Sequence, residues 1–362
     1  MPQAINDSSL SRIHAVRENF SNYQVDGILF SSMSNIRYLS GFTGSDGVLV
    51  LSSDAAWLLV DGRYTTQAAA EVQRISVVQY QNKVQGIEQA VKELGLNRIG
   101  FEAPFVNVEM YDDLKQRLKQ TKLVPLGNEL RLLRAYKDKH EIDLMRKAAA
   151  IASKALAALA CEIQPGWTEL QTALQLEMTA RRAGAEQIAF ETIIASGENA
   201  ALPHARPTNR KIRNGDFVVI DFGVKYQGYC SDETCTFAIG ELTGDKKNAY
   251  RAVLRAHDEA IASIRAGVDA ADVDALVRGI LGEKYSRYFV HGTGHGVGLE
   301  VHEAPRLAPN SQDVLTAGMV VTVEPGLYYP DRWGIRIEDT VFVKESSCEI
   351  ITKMNKKLII IK

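Results

Sequence analysis

The sequence predicts two domains: an α/β unit, then a larger α+β unit built on an internal duplication. Three observations predict this. Strand-like apolar runs alternate with helical periodicity over roughly the first 125 residues. Long helical stripes follow, interrupted by two β-branched hairpins. Those hairpins repeat each other. The first runs from Gly215 through Asp221 and Gly223 to Asp232-Glu-Thr, and the second from Gly318 through Glu324 and Gly326 to Glu338-Asp-Thr. Aligning Gly215 with Gly318 puts Asp221 on Glu324 and, with three extra residues in the second turn, Asp232 on Glu338. Two copies indicate a pseudo-two-fold domain rather than a solenoid.

Taken in order, Leu10, Ile13, Val16 and Phe20 have helical spacing. Strands are predicted at 27–30, 47–51 and 57–60, helices at 63–73 and 85–95, a strand at 99–102 and a helix at 107–120. The glycine-rich run Gly41-Phe-Thr-Gly-Ser-Asp-Gly47 lacks the lysine of a phosphate loop and reads as a turn. Residues 122–136 carry the chain out of this domain. The expected limits are a domain over 1–128, a linker over 129–137 and a second domain over 138–362.

A long helix is predicted from near Asp138, with Ile142, Met145, Ala149, Ala152, Leu156 and Leu159 on one stripe, stopped by Pro165-Gly166. Thr168-x-x-Gln171 has the form of a capping box and opens a helix ending near Gly184. A strand at 190–195 precedes a polar loop that contains His204. Helices near 245–265 and 271–284 fill the span between the hairpins, so each half holds two helices and a hairpin.

The repeated element suggests the chemistry. Each copy is a β-branched strand that ends in a carboxylate, then a turn, then a return strand opening on another carboxylate. Four carboxylates converging at the edge of an apolar sheet repel one another strongly in a low dielectric. Divalent cations are the economical compensation, because hard cations prefer oxygen ligands.

Composition narrows the classes. Of 362 residues, 46% are apolar and 24% charged, which is globular; 42 Lys and Arg balance 44 Asp and Glu, so no basic face for nucleic acid or anionic membrane is expected. No run of about 18 apolar residues predicts a membrane span. The start, Met-Pro-Gln-Ala-Ile-Asn-Asp, has no secretory signature. Four cysteines without a CxxC read as reduced thiols, and the expected location is cytoplasmic.

His204, His291, His295 and His302 lie close to glycine or proline in the C-terminal half. His291-x-x-x-His295 has the spacing of a zinc-binding helix, but the Glu after the first His is missing and four interleaved glycines would break a helix. Glycine at alternate positions suits an extended, close-packed strand, with His291 and His295 on one face. His14, His140 and His257 read as ordinary helix residues.

These motifs give the chain a family resemblance. Residues 137–362 resemble the pita-bread metallopeptidases, which include methionine aminopeptidase, aminopeptidase P and prolidase. The resemblance is carried by Asp221 in Ile-Asp-Phe-Gly, Asp232 in Ser-Asp-Glu-Thr, His295 in His-Gly-x-Gly-His-Gly-x-Gly, Glu324 in Val-Glu-Pro-Gly and Glu338 in Arg-Ile-Glu-Asp. Tyr38-Leu-Ser-Gly-Phe-Thr-Gly and Asp61-Gly-Arg-Tyr are similar to the creatinase/prolidase N-terminal domain, which methionine aminopeptidase normally lacks. The whole plan resembles the M24B metallopeptidases.

The resemblance implies two divalent ions per chain, Asp221 on one, His295 and Glu324 on the other, and Asp232 and Glu338 shared. All five positions carry the expected residue type, a set that creatinase, the non-metal hydrolase of this fold, is not expected to keep. It also implies Glu324 as the proton acceptor and donor, His204 and His302 near the reacting centre, and His291 lining the substrate site. Two such ions acidify a water and polarise the scissile carbonyl. Arg336 would share a face with Glu338 in an extended strand, and either orients it, holds a substrate carboxylate or forms a structural ion pair. Four carboxylates and one imidazole suit Mn²⁺ better than Zn²⁺, with Co²⁺ or Zn²⁺ possible in vitro.

The implied substrate is a proline-containing peptide. An Xaa-Pro aminopeptidase is the leading expectation, because Phe-Thr-Gly-Ser-x-Gly looks more like aminopeptidase P. The alternative is an Xaa-Pro dipeptidase, prolidase, and the remote alternative a peptide-binding protein without turnover. A homodimer is usual among similar enzymes.

Overall fold

The computed structural model describes residues 5–362, with side chains from Ser9 onward. The chain divides into two compact units, Met1–Leu133 and Arg134–Lys362. Among the described residues no helix is long and apolar enough to cross a membrane.

The first unit contains α1 (Ile5–Glu18), α2 (Phe20–Tyr23), β1 (Gly27–Phe30), α3 (Met33–Ser40), β2 (Val48–Ser52), β3 (Ala56–Val60), α4 (Thr65–Glu71), β4 (Ser76–Gln79), α5 (Lys83–Glu93), β5 (Arg98–Glu102), α6 (Val108–Arg117) and β6 (Lys122–Leu126). The strands form one mixed sheet in the order β4-β3-β2-β1-β5-β6. β1 and β2 are buried along their whole length, as their continuous apolar runs require.

Three of these elements are not evident from periodicity. α3 has a weak helical sequence and is held at its start by the Glu102 carboxylate, which accepts from the backbone N–H of Ser31 and Ser32 and from the Asn35 side chain. β4 and β6 are edge strands, only partly buried. Residues 122–126 are therefore sheet, not exit segment. Residues 134–137 are not a free connector either. Lys137 N–H donates to Gly318 O at 2.8 Å, and the Arg134 and Lys137 side chains pair with Glu303.

The second unit opens with α7 (Lys139–Glu162), capped by Asp138 with a capping box to Glu141. α8 (Glu169–Arg182) starts at the box of Thr168 and Gln171. Then follow β7 (Gln187–Ile188), β8 (Ile193–Ser196), β9 (Phe217–Phe222), β10 (Val224–Tyr226), β11 (Tyr229–Cys230), β12 (Glu233–Ile239), α9 (Gly244–Ser263) and α10 (Ala270–Tyr285). The remainder is β13 (Gly294–Gly296), β14 (Glu303–Leu307), β15 (Val320–Val323), β16 (Gly326–Tyr329), β17 (Trp333–Arg336), β18 (Asp339–Val343), β19 (Cys348–Ile350) and β20 (Ile359–Ile361).

The duplication is visible in the sheets. β9 pairs antiparallel with β12 inside the order β20-β12-β9-β8, and β15 pairs antiparallel with β18 inside β14-β13-β15-β18-β19. Both copies are entered through a glycine with positive φ, Gly215 at +86° and Gly318 at +96°, a conformation an L side chain would strain. α7 and α8 pack on the first copy through Ala152, Leu156, Leu159 and Leu176, which meet Val218, Ile220 and Phe222. The inward faces of β9 and β12 are thereby committed to the core, and their carboxylates are left at its margin.

Candidate metal centre

The two hairpins are joined at the residues that repeat. Glu338 N–H donates to Thr234 O at 3.1 Å, and Thr234 Oγ1 donates to Glu338 Oε2 at 2.6 Å. Thr340 Oγ1 donates to Asp232 O at 2.6 Å. The Thr that ends each acid-acid-Thr triplet thus fastens the other copy. Asp221 stands opposite Thr234 in the β9–β12 register, and Glu324 directly follows β15, its N–H bonded to Thr293 O at 2.8 Å.

Asp232, His295 and Glu338 each offer a ligand atom within 4.8 Å of the others. His295 Nε2 lies 3.7 Å from Asp232 Oδ2 and 3.3 Å from Glu324 Oε1. The fifth residue, Asp221, faces Arg336, whose Nη2 donates to Asp221 Oδ2 at 2.5 Å. The other oxygen, Asp221 Oδ1, is buried with no hydrogen-bond partner.

Burial here is deep: Asp232 is 4% exposed and Glu338 is 2% exposed. Desolvation, then the negative charge of neighbouring acids, raises both carboxyls well above their ordinary range. Burial likewise pushes Glu324 up to about 8, against the opposing pull of Arg336. Burial, then the charge of His302, lowers His295 to about 4, which keeps the imidazole neutral. Its Nδ1 faces Gly296 O at 3.1 Å, so a proton there leaves the Nε2 lone pair aimed at the acids. Crowded carboxylates, an orphaned buried oxygen and a neutral imidazole turned toward them are a donor set for divalent cations.

The other histidines surround this cluster. The His302 ring sits edge-on to His295 with centroids 4.4 Å apart. Burial lowers His291 to about 4 and also lowers His302, and the proximity of His204 adds to both. His291 Nε2 is 2.9 Å from Tyr328 Oη, which accepts from Arg336 Nη1 at 2.8 Å, and Arg336 in turn holds Asp221. His291 precedes the short strand that carries His295 rather than sharing it. The glycines around His295 do permit close approach, but of neighbouring strands and not of a ligand. A Cβ on Gly294 would lie 1.9 Å from Thr322 O, and one on Gly296 lies 2.2 Å from Ala304 O.

Arg336 does not turn to Glu338. It is 3% exposed and donates to Asp221, Tyr328, Thr234 and Pro203 O. His257 is not an ordinary helix residue: it is buried, with Nε2 3.2 Å from Asp339 Oδ2. Arg306 carries no motif in the sequence, yet it faces His295 across the β13–β14 pair. Residues opposite each other in an antiparallel pair share a face. Arg306 is exposed; its backbone N–H donates to Asp313 Oδ2 at 3.0 Å, while among the described residues its guanidinium pairs with no carboxylate. Its charge reaches both His295 and His302.

Comparison with known proteins identifies the family. The profile of metallopeptidase family M24 matches residues 143–345, and that of the creatinase/prolidase N-terminal domain matches residues 12–136. The chain belongs to metallopeptidase family M24. It is a metal-dependent peptidase with the pita-bread fold behind a creatinase-type N-terminal domain. An Xaa-Pro dipeptidase from Bacillus anthracis is 39% identical, with a TM-score of 0.95, covering 98% of this chain and 100% of that one. An X-Pro aminopeptidase from Thermotoga maritima is 33% identical, with a TM-score of 0.89, over 96% and 99%. An Xaa-Pro dipeptidase of Pyrococcus horikoshii is 35% identical over 96% of this chain and 98% of its own length.

Proposed function

We propose that this peptidase is an Xaa-Pro dipeptidase, releasing the first residue from a dipeptide that ends in proline. The sequence alone favours an aminopeptidase. Two considerations move the reading. Dipeptidases predominate among the named relatives. The observation on this chain that carries the choice is Arg306, an exposed guanidinium without a carboxylate partner among the described residues, on the His295 face. A dipeptide presents its C-terminal carboxylate one residue beyond the scissile bond, and a guanidinium is suited to hold it. In a longer peptide that position is a neutral amide.

Asp221 would hold one divalent cation, His295 and Glu324 the other, with Asp232 and Glu338 shared between them. The oxygen-rich set favours Mn²⁺ over Zn²⁺. When bound, such ions polarise the scissile carbonyl and acidify a water. The chain's own groups do the rest. Glu324 takes the proton of the attacking water on its carboxylate and returns it to the leaving prolyl nitrogen. A prolyl nitrogen has no hydrogen before cleavage, so delivery of that proton is obligatory. His204 and His302 stand beside the reacting carbonyl and donate to its developing charge. The line from His291 through Tyr328 to Arg336 fixes the Asp221 carboxylate.

The test is a peptide-length series with the Mn²⁺-loaded enzyme. The dipeptidase reading expects Xaa-Pro to be cleaved far faster than Xaa-Pro-Yaa-Yaa. Equal or faster cleavage of the longer peptide rejects it in favour of the aminopeptidase, the reading favoured by Phe-Thr-Gly-Ser-x-Gly and the Thermotoga relative.

A further inference from the structure

Two of the four acids at the metal centre are each followed by a second acid. Glu233 follows Asp232 and Asp339 follows Glu338. Side chains alternate along an extended chain, so the second pair points away from the first. Both are buried. One ammonium joins them: Lys356 Nζ lies 2.6 Å from Glu233 Oε1 and 3.3 Å from Asp339 Oδ1. Lys356 is itself buried.

The tail around Lys356 reinforces the joint. Thr352 Oγ1 donates to Asp339 Oδ1 at 2.6 Å, and Met354 N–H to Glu233 Oε1 at 2.9 Å. Ser153 Oγ donates to Glu233 Oε2 at 2.5 Å, and Tyr250 Oη holds Lys356 O at 2.9 Å. His257 approaches the free side of Asp339. A single cation therefore grips one carboxylate from each copy of the duplication, directly behind the carboxylates that face the metal site.

We propose that Lys356 is a positioning residue for the metal centre. By tying Glu233 of β12 to Asp339 of β18 it sets the separation of those strands, and with it the separation of Asp232 and Glu338. It touches neither metal nor substrate. The proposal rests on the dinuclear reading above and adds a residue to it.

The sign of the effect distinguishes a clamp from a mere charge. If Lys356 mattered only as a nearby positive charge, removing it would make the site more negative and tighten cation binding. If it is a clamp, removing it leaves two buried like charges to repel. The strands then part, and the centre weakens.

The experiment uses full-length Lys356→Met and Lys356→Arg with Mn²⁺ as the probe. Binding is followed by competition titration, and exchange coupling between paired ions by electron paramagnetic resonance. Far-UV circular dichroism reports the fold. Lys356→Met should bind the weaker Mn²⁺ at least about tenfold less tightly, as loss of a supporting partner typically does, and should lose the coupled signal. It should lower kcat with little change in KM, and Lys356→Arg should recover most of the affinity. A folded Lys356→Met that holds two coupled Mn²⁺ as tightly as the parent, or more tightly, overturns the clamp, as does an Arg variant no better than Met. Should Lys356→Met not fold, the paired change Glu233→Gln with Lys356→Met removes the buried ion pair together. Loss of coupling there supports the clamp, and a retained coupled pair overturns it. If the parent chain itself binds no Mn²⁺, the dinuclear reading fails, and this proposal with it.

Discussion

Replacing Glu338 by Gln should move metal affinity and metal-free stability in opposite directions. The substitution keeps volume and leaves an amide for Thr234 to bond, so no cavity confuses the result. Without metal, Glu338 and Asp232 offer oxygens within 4.8 Å of each other in a fully desolvated place. Two unit charges at that separation repel by ~3 kcal/mol at an effective dielectric of about 20. Raised carboxyl pKa values relieve this by protonation as pH falls, so the gain should be smallest at low pH and should widen as pH rises. In EDTA, thermal unfolding of Glu338→Gln should therefore occur at or above the parent temperature, with the largest difference at the alkaline end of the range. In Mn²⁺ the order should invert. A shared ligand is lost, and affinity should fall by more than the roughly 10–100-fold that a supporting partner costs. Activity should fall with metal content. Two Mn²⁺ bound with parent affinity, or a metal-free variant less stable than the parent at high pH, would refute the reasoning.

Three further outcomes follow from the same geometry. Glu324 titrates near 4.3 in an unfolded chain and near 8 in the metal-free fold; the stability it contributes is full below about pH 4 and is lost as pH rises through about 8. Melting temperatures in EDTA should accordingly fall over that window and flatten with saturating Mn²⁺, and a metal-free melting temperature that rises with pH would contradict this. Arg306→Ala should raise KM for Xaa-Pro by about 10–100-fold, the worth of a charge-assisted contact to a carboxylate, without changing Mn²⁺ stoichiometry; an unchanged KM would remove the carboxylate role. His204→Ala should keep both metals and lower kcat by about a hundredfold; parent kinetics in a fully loaded variant would show that His204 takes no part.

Much of the fold is legible because it is local. Asp138 with Glu141, and Thr168 with Gln171, announce their helices by capping chemistry that needs only four residues. The duplication is legible because each copy must solve the same problem: a glycine with positive φ, a β-branched strand, then a carboxylate at its end. What escapes is whatever depends on a distant partner. α3 exists because Glu102, about seventy residues away, caps it. Edge strands β4 and β6 lack the continuous apolar run that betrays β1 and β2. At the site, strand alternation placed Arg336 beside Glu338, but the guanidinium is long enough to cross to Asp221 on β9. His257 looked like any helical residue because its partner, Asp339, is brought to it only by folding. Arg306 is invisible without the β13–β14 register, and Lys356 lies in a tail with no pattern of its own.

On the dinuclear reading, acids from both copies of the hairpin meet because paired cations hold them. Anomalous scattering from crystals grown with Mn²⁺ addresses it most directly. Two peaks should appear, both against Asp232 and Glu338, one reaching the buried oxygen of Asp221 and the other His295 with Glu324. A single peak elsewhere, or none with those carboxylates turned apart, would contradict it.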